Sequence, residues 1–449
     1  MVPNVYRFIQ IINYRDLSLW DIKRLRNKNI ASKYKIAKLS DLVIEENTKY
    51  SINTPHQVYG ILGVNNKGGI FDAYIEKGEN IKQKYKRMDN GWLAYNPYRI
   101  NVGSIGIKTA EHTYNFISPA YVVFRCNSSL LPEFMYLVMK TMSFNNIIRQ
   151  STTGSVRQTL KFSSLKQLYI PLPPISEQAI LLSNHKAQIK EAEQLEQDVI
   201  RIEEDLNEYL TKELGLETNT EEEGQKDKYK YIRFVHFRVI FEWGIDAIQK
   251  KKRSESFKYP KMKIKDLCQL GSGGTPSRSC PQYFNGNIPW VKTGEVVNDE
   301  LLDTEEHITE EAVENSSAKL YPKGSLIIAM YGQGDTRGRT AKLGIEATTN
   351  QACAVLYDID NSIVTTDYLW YYLQGRYDDL RSLASGNNQP NLNAGKIKDY
   401  DVVVPPMDVQ NEIVTHIREQ KALAKQLKQK AKEIRECALK EFENEIFTI

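Results

Sequence analysis

The chain has 449 residues, enough for two or more domains with sizeable cores, and its 41% hydrophobic and 26% charged content is that of an ordinary globular protein. Sixty basic against 56 acidic residues leave a net charge of +4, which permits a nucleic-acid partner but argues for one only weakly, because both signs are abundant. With no run of about 18 apolar residues, no signal-peptide plan in MVPNVYRFIQ, and five scattered cysteines (Cys126, Cys268, Cys280, Cys353, Cys437) that pair at no metal or redox spacing, a cytoplasmic protein with reduced thiols and no membrane partner is expected.

In chain order, the first segment contains a polar turn, NNKGG (65–69), then GWLAYNPYRINVGSIGI (91–107), a strand-like run AYVVF (120–124) and a helical run PEFMYLVMKTM (132–142). A polar stretch, STTGSVRQTLK (151–161), leads to IPLPPISEQ (170–178), where Ser176 can cap a helix. From Leu181 a mostly apolar seam steps alternately by four and three: Leu181, His185, Gln188, Ala192, Leu195, Val199, Ile202 and Leu206. That is the coiled-coil period. The helix is expected to stop near Gly215, before the polar linker 216–230.

The second segment repeats the first. GSVRQTLKFSSLKQLYIPLPPISEQ (154–178) aligns without a gap on GNNQPNLNAGKIKDYDVVVPPMDVQ (386–410), at an offset of 232 residues. Leu160 matches Leu392, Pro173-Pro174 matches Pro405-Pro406, and Gln178 matches Gln410. Upstream, 117–124 resembles 349–356, and 132–138 resembles 366–372. Segment 91–107 resembles 324–345, with a loop read as five residues longer in the second copy. The same offset carries the seam to Ile413, Ile417, Gln420, Ala424, Leu427, Ala431, Ile434 and Ala438, with Asp408 as the cap. Polar outer faces favour two such helices pairing with each other over each packing on its own domain. The expected fold is α+β: two similar mixed α/β domains (1–170 and 231–402) separated by two long helices (171–215 and 403–449).

Catalytic signatures are mostly absent. GSGGTPSRS (271–279) is glycine-rich but lacks a phosphate-loop lysine; there is no GxSxG and no HExxH. The histidines (His56, His112, His185, His236, His307, His416) are isolated in sequence. Tyr95-Asn96-Pro97-Tyr98 has one proline too few for the loop of amino-methyltransferases, and no glycine-rich cofactor loop precedes it. The acidic run EEHITEE (305–311) reads as a solvated face and not a metal site.

What remains is polar loops, duplicated. In the first copy they offer Lys67, Tyr98, Arg99, Asn101, Ser104, Arg157, Gln158 and Lys161. In the second they offer Thr275, Arg278, Lys292, Thr293, Gln333, Arg337, Arg339, Lys342, Asn388, Gln389 and Asn391. Arginine forks onto guanine O6 and N7, asparagine or glutamine matches adenine N6 and N7, and lysine meets phosphates. These are candidate DNA-binding residues.

With GVNNKGGI (63–70), 91–107, SPAYVVF (118–124) and IPLPPISEQ in the first half, and GGTPSRS (273–279), YFNGNIPWVKTGEV (283–296), NQPNLN (388–393) and VVPPMDVQNEIV (403–414) in the second, the sequence resembles the specificity subunit of type I restriction-modification systems. The resemblance implies two target recognition domains, each reading half of a bipartite, asymmetric site on double-stranded DNA. It implies an antiparallel coiled coil whose seam includes Leu181, Leu195, Ile202, Leu206, Ile413, Ile417, Leu427 and Ile434, and which sets half-site separation. It implies two methylation subunits and further restriction subunits as partners. S-adenosylmethionine, ATP and Mg would then sit on those partners, with no cofactor on this chain. A self-contained DNA methyltransferase and a coiled-coil adaptor that binds only protein are the alternatives.

Overall fold

The structure, a computed structural model, describes residues 30–151, 159–216, 257–332, 334–383 and 392–447. The chain divides into two compact units: residues up to Glu196 with those from Lys428 onward, and Gln197 to Leu427.

The first unit is built on β1 (Ile36–Lys38), β2 (Val43–Glu45), β3 (Lys49–Tyr50), β4 (Val58–Val64), β5 (Ile70–Lys77), β6 (Tyr85–Arg87), β7 (Leu93–Tyr95), β8 (Ile105–Ile107), β9 (Phe116–Ile117) and β10 (Val122–Cys126). Helices α1 (Pro132–Lys140) and α2 (Met142–Ser151) follow, then β11 (Tyr169–Pro171) and the long helix α3 (Ile175–Leu214). One sheet has the order β2-β10-β7-β8, a second β3-β6-β9-β4-β5, and β1 pairs with β11. The run read as a strand at 120–124 is β10, whose Val123 and Phe124 are fully buried. The run read as one helix at 132–142 opens on Pro132, which suits a first turn, and breaks at the extended Thr141 before α2 begins. The core beneath combines Phe124, Phe134, Met135, Val138 and Leu182 with Phe442, Ile446 and Phe447.

The second unit repeats this plan. It holds β12 (Lys261–Lys263), β13 (Gln269–Ser272), β14 (Phe284–Val291), β15 (Glu300–Leu301), β16 (His307–Ile308), β17 (Leu326–Ala329), β18 (Thr340–Leu343), β19 (Thr348–Thr349) and β20 (Cys353–Tyr357). Then come α4 (Thr366–Gly375), α5 (Tyr377–Ser382), β21 (Asp401–Val403) and the long helix α6 (Met407–Ile446). Its main sheet, β13-β20-β17-β18-β15, repeats the order β2-β10-β7-β8 with one strand added; β12 pairs with β21 as β1 does with β11. A parallel pair also recurs, β4 with β9 and β14 with β19, and the added strand β15 lies parallel to β18. The second sheets differ: five strands in the first unit, three (β16-β14-β19) in the second.

Hairpin register corrects one reading of the sequence. Tyr95 pairs with Ile105 and Ile328 with Thr340, so the intervening loops are 96–104 and 329–339. The second is longer by two residues, not five; matching the recurrent Gly-Ile dipeptides had slid the second strand past its true partner.

Both long helices run 40 residues, and each is divided between the units. In the first unit their segments lie antiparallel: His185 meets Phe442 edge-on at 6.3 Å, and Glu196 pairs with Arg435 at 2.9 Å. In the second, Tyr209 lies 4.2 Å from His416, and Leu206, Leu210 and Leu214 join Ile413 and Ile417 in the core. Every seam position from Leu181 to Leu206 and from Ile413 to Ala438 is buried or half-buried, while most positions between are exposed. The helices therefore pair within each unit and also pack on the globular parts. Sequence alone had set these two arrangements against each other.

Candidate nucleic-acid interface

In the first unit two polar loops lie side by side. The β4–β5 turn is shaped by Asn65, whose Oδ1 accepts from Lys67 N at 3.0 Å and Gly68 N at 2.6 Å, and by Gly69 at φ +76°. Loop 96–104 is tied by Tyr98 N donating to Asn96 Oδ1 at 3.0 Å and turns at Gly103, φ +79°. Lys140 at the end of α1 joins them: its Nζ donates to Asn66 O at 3.2 Å and Gly103 O at 2.8 Å. Burial pushes that ammonium below its usual pKa. Ser104 is buried, and its hydroxyl donates to Val64 O at 3.3 Å, so it braces the loops from beneath. A Cβ on Gly106 would stand 2.2 Å from Ile70 N, so only glycine allows this approach. Lys67, Tyr98 and Arg99 are exposed on this surface and Asn101 is half-buried. Lys161, also exposed, follows Leu160, whose N donates to Pro97 O at 3.0 Å and whose carbonyl accepts from Tyr95 OH at 3.1 Å. Lys67, Arg99 and Lys161 have no ion-pair partner among the described residues.

The second unit gathers its candidates into two groups. In the first group Thr275 hydrogen-bonds Gln351, and Thr293 Oγ1 donates to Asn350 Oδ1 at 3.2 Å. Arg278 NH1 meets Glu306 at 2.8 Å, and Lys292 Nζ meets Glu305 at 2.8 Å and Glu306 at 3.2 Å. The run 305–311 is thus not simply a solvated face: Glu306 is two-thirds covered and pairs with two candidate cations, and Arg278 holds its carboxyl below the usual pKa. Gly273 and Gly274 press against the chain itself, at Thr349 O and Ala318 N, leaving no room for a Cβ. Their bareness serves packing.

The second group surrounds 329–339. Arg381 NH1 donates to Gly334 O at 2.9 Å, and Tyr377 OH to Asp335 O at 2.7 Å. Arg381 thus does for this loop what Lys140 does for 96–104. Leu392 N donates to Met330 O at 3.2 Å, as its repeat partner Leu160 does to Pro97 O. Arg337 and Arg339 are half-buried here, Arg339 3.9 Å from Asp335. Lys342 points to α4, pairing with Asp367 at 2.9 Å and Glu300 at 3.6 Å with only 18% of its side chain exposed. Arg157, Gln158, Gln333, Asn388, Gln389 and Asn391 lie outside the described residues.

Sequence reasoning missed Lys140, Arg381 and Glu306. The first two sit on helices and carry no loop signature; the third lies in a run that reads from sequence as a solvated face and not a metal site. Among the described residues no group of three or more His, Cys, Asp or Glu could hold a metal ion, and no helix is long and apolar enough to cross a membrane.

Each unit thus sets polar, cation-bearing loops on a repeated sheet-and-helix scaffold. Residues 258–435 match the family model of the type I restriction modification DNA specificity domain. The chain is 27% identical over 217 residues to the type I restriction enzyme MjaIX specificity subunit of Methanocaldococcus jannaschii, covering 46% of this chain and 48% of that protein. It is 27% identical over 267 residues to the EcoR124I/EcoR124II specificity subunit of Escherichia coli, covering 58% and 56%. The chain thus spans about half the length of the curated relatives it matches. A chain from a study of complex assembly and conformational transition of the type I R-M system shares the fold, with a TM-score of 0.58 at 14% identity over 94% of this chain and 99% of that one. Residues 258–435 thus match the specificity-domain family, and about half of the chain is similar to type I restriction enzyme specificity subunits.

Proposed function

We propose that the chain reads a bipartite, asymmetric DNA site, one half-site per unit, and delivers methylation and restriction subunits to it without doing chemistry itself. The observation that carries this reading is the pairing of a repeated scaffold with unlike loops. Strand order β2-β10-β7-β8 recurs in β13-β20-β17-β18, while corresponding connections differ: β4 reaches its antiparallel partner β5 through the short turn 65–69 but β14 reaches β16 through 292–306, and 46–57 is unlike 273–283 in sequence. A shared frame with different loops suits two different half-sites.

Cations such as Lys67 and Arg99 meet phosphates and fix register, and Arg, Asn and Thr side chains address base edges. Methyl transfer with S-adenosylmethionine, and ATP- and Mg-dependent steps, belong to the partner subunits.

The test is methylome sequencing of a host that carries the intact system, repeated with residues 30–170 exchanged for those of a related subunit. One half-site is expected to change and the other to persist. A change in both halves, or in neither, overturns the assignment. Calorimetry of the purified chain with S-adenosylmethionine is expected to give no binding heat; saturable binding would favour a self-contained methyltransferase.

A further inference from the structure

Four charged side chains in the second unit form a closed set around Trp290: Arg278 and Lys292 against Glu305 and Glu306. The Arg278 guanidinium lies over the rings of Phe284, at 4.3 Å, and Trp290, at 5.3 Å. Its NH1 is held by one carboxylate oxygen of Glu306 while the other holds Lys292. Both partners are tied by hydrogen bonds. Trp290 Nε1 donates to Gly274 O at 3.0 Å and anchors the segment that bears Arg278; Trp290 N donates to Glu306 O at 3.0 Å, and Thr304 Oγ1 to the same oxygen at 2.7 Å. One tryptophan thus ties both partners, the Arg278 segment through its ring N–H and Glu306 through its backbone N–H. Even so, 57% of the Arg278 side chain is exposed.

Resting on the DNA-reading function above, we infer that Arg278 is a base-reading residue of the second half-site and that Glu306 is its positioning residue. A guanidinium has five N–H donors, and Glu306 engages NH1 alone, leaving donors to fork onto guanine O6 and N7. Stacking and the ion pair restrict the side chain before DNA arrives, so little ordering remains to be done on binding. The second consequence is electrostatic. Two positive charges matched by two negative ones gain little from phosphates, so this patch is a poor clamp for DNA of any sequence. In the first unit, Lys67, Arg99 and Lys161 carry no such counter-charge. Glu306 therefore suppresses indiscriminate binding while it holds the reader in place.

The experiment uses the full chain with its methylation subunits. The probes are a duplex carrying the motif returned by methylome sequencing and a random-sequence duplex of equal length, each titrated across a salt series. For E306Q, binding to the random duplex is expected to tighten and its log–log salt slope to steepen by about 0.9 to 1.8, the contribution of one or two released cations. The preference for motif over random duplex is expected to fall about 5- to 100-fold, the range for one bidentate base contact. R278K keeps the charge but not the fork and is expected to lose preference at one base pair of the second half-site. E305Q, which touches Lys292 only, is expected to steepen the slope without loss of preference. If E306Q weakens both duplexes alike with an unchanged slope, Glu306 is only structural and the inference fails. If R278K keeps full preference at every position, Arg278 does not read a base. If the unaltered complex shows no motif preference at all, the DNA-reading function fails and takes this inference with it.

Discussion

Gln178 and Gln410, 232 residues apart, make the same three hydrogen bonds in the two units. Each is fully buried. Gln178 accepts from Leu131 N at 2.9 Å and donates to Ser129 O at 3.0 Å and Pro173 O at 2.9 Å. Gln410 accepts from Thr365 N at 2.8 Å and donates to Ile363 O and Pro405 O, both at 2.9 Å. In each unit the amide stitches the first turn of a long helix to the loop that opens α1 or α4. Gln→Ala at either site leaves buried backbone groups unpaired, at about 1–3 kcal/mol for each group so stranded. Hydrogen exchange is the informative measurement: Q178A is expected to loosen residues around 129–135, and Q410A those around 363–369. Loss of protection in both regions from either change alone would contradict local action.

Leu195 and Leu427 occupy equivalent seam positions, and both are half-buried. Either Leu→Ala change is therefore expected to cost about 1–2 kcal/mol, below the ~2–5 kcal/mol of a fully enclosed leucine. Ala192 and Ala431, at 0% and 1% exposure, are the tighter positions. Ala→Leu there is expected to cost about 1–3 kcal/mol through overpacking. Chemical denaturation would measure the four variants; a loss above ~2 kcal/mol for either leucine truncation, or none for either alanine enlargement, would contradict the burial.

Glu443 on α6 accepts from Met142 N at 3.1 Å and Ser143 N at 2.6 Å, the first amides of α2. It acts as a helix cap supplied from 300 residues away. E443A is expected to destabilise the first unit by about 1–2 kcal/mol, the usual worth of such a cap. Thermal unfolding followed with a fluorophore in that unit would detect it; an unchanged midpoint would count against the cap.

Glu196 is held below its ordinary pKa by the hydrogen bond from Arg435. A carboxylate depressed in the folded state contributes stability above its unfolded pKa, about 4.3, and loses it as pH falls through the lower folded value. With side chains 47% and 38% exposed, solvent screening leaves the pair about 0.2–1 kcal/mol. The native chain is expected to exceed E196Q in stability by that margin at neutral pH, and the difference to vanish in acid. A gap that widened in acid would reverse the sign.

Lys67 and Arg99 carry no ion partner among the described residues, whereas Lys342 is committed to Asp367 and Glu300. Lys→Ala at 67 and Arg→Ala at 99 are each expected to lower the salt slope of DNA binding by about 0.9 on any sequence. Lys342→Ala is expected to leave the slope unchanged and lower stability. A slope loss for Lys342→Ala equal to that at Lys67 would mean that it leaves its carboxylates for DNA.

The repeat was legible because Pro-Pro, Gln and the four-three seam occupy fixed offsets, and the architecture follows from them. Side-chain tethers were not. Lys140 and Arg381 reach the loops from helices, across distances that only tertiary packing sets. The acidic run was read by composition, yet its role depends on Arg278, which lies 28 positions before Glu306 and beside it in space.

The core of the first unit borrows Phe442, Ile446 and Phe447 from the far end of α6. On a ribosome, the sheet and α1 of this unit are made hundreds of residues before those side chains emerge. Until then Phe134 lacks the ring that meets it edge-on at 5.4 Å, and α2 lacks its cap. The first unit therefore matures last. A chain interrupted before Lys428 would expose apolar surface and become a substrate for chaperones and proteases, so synthesis itself selects against half-finished chains.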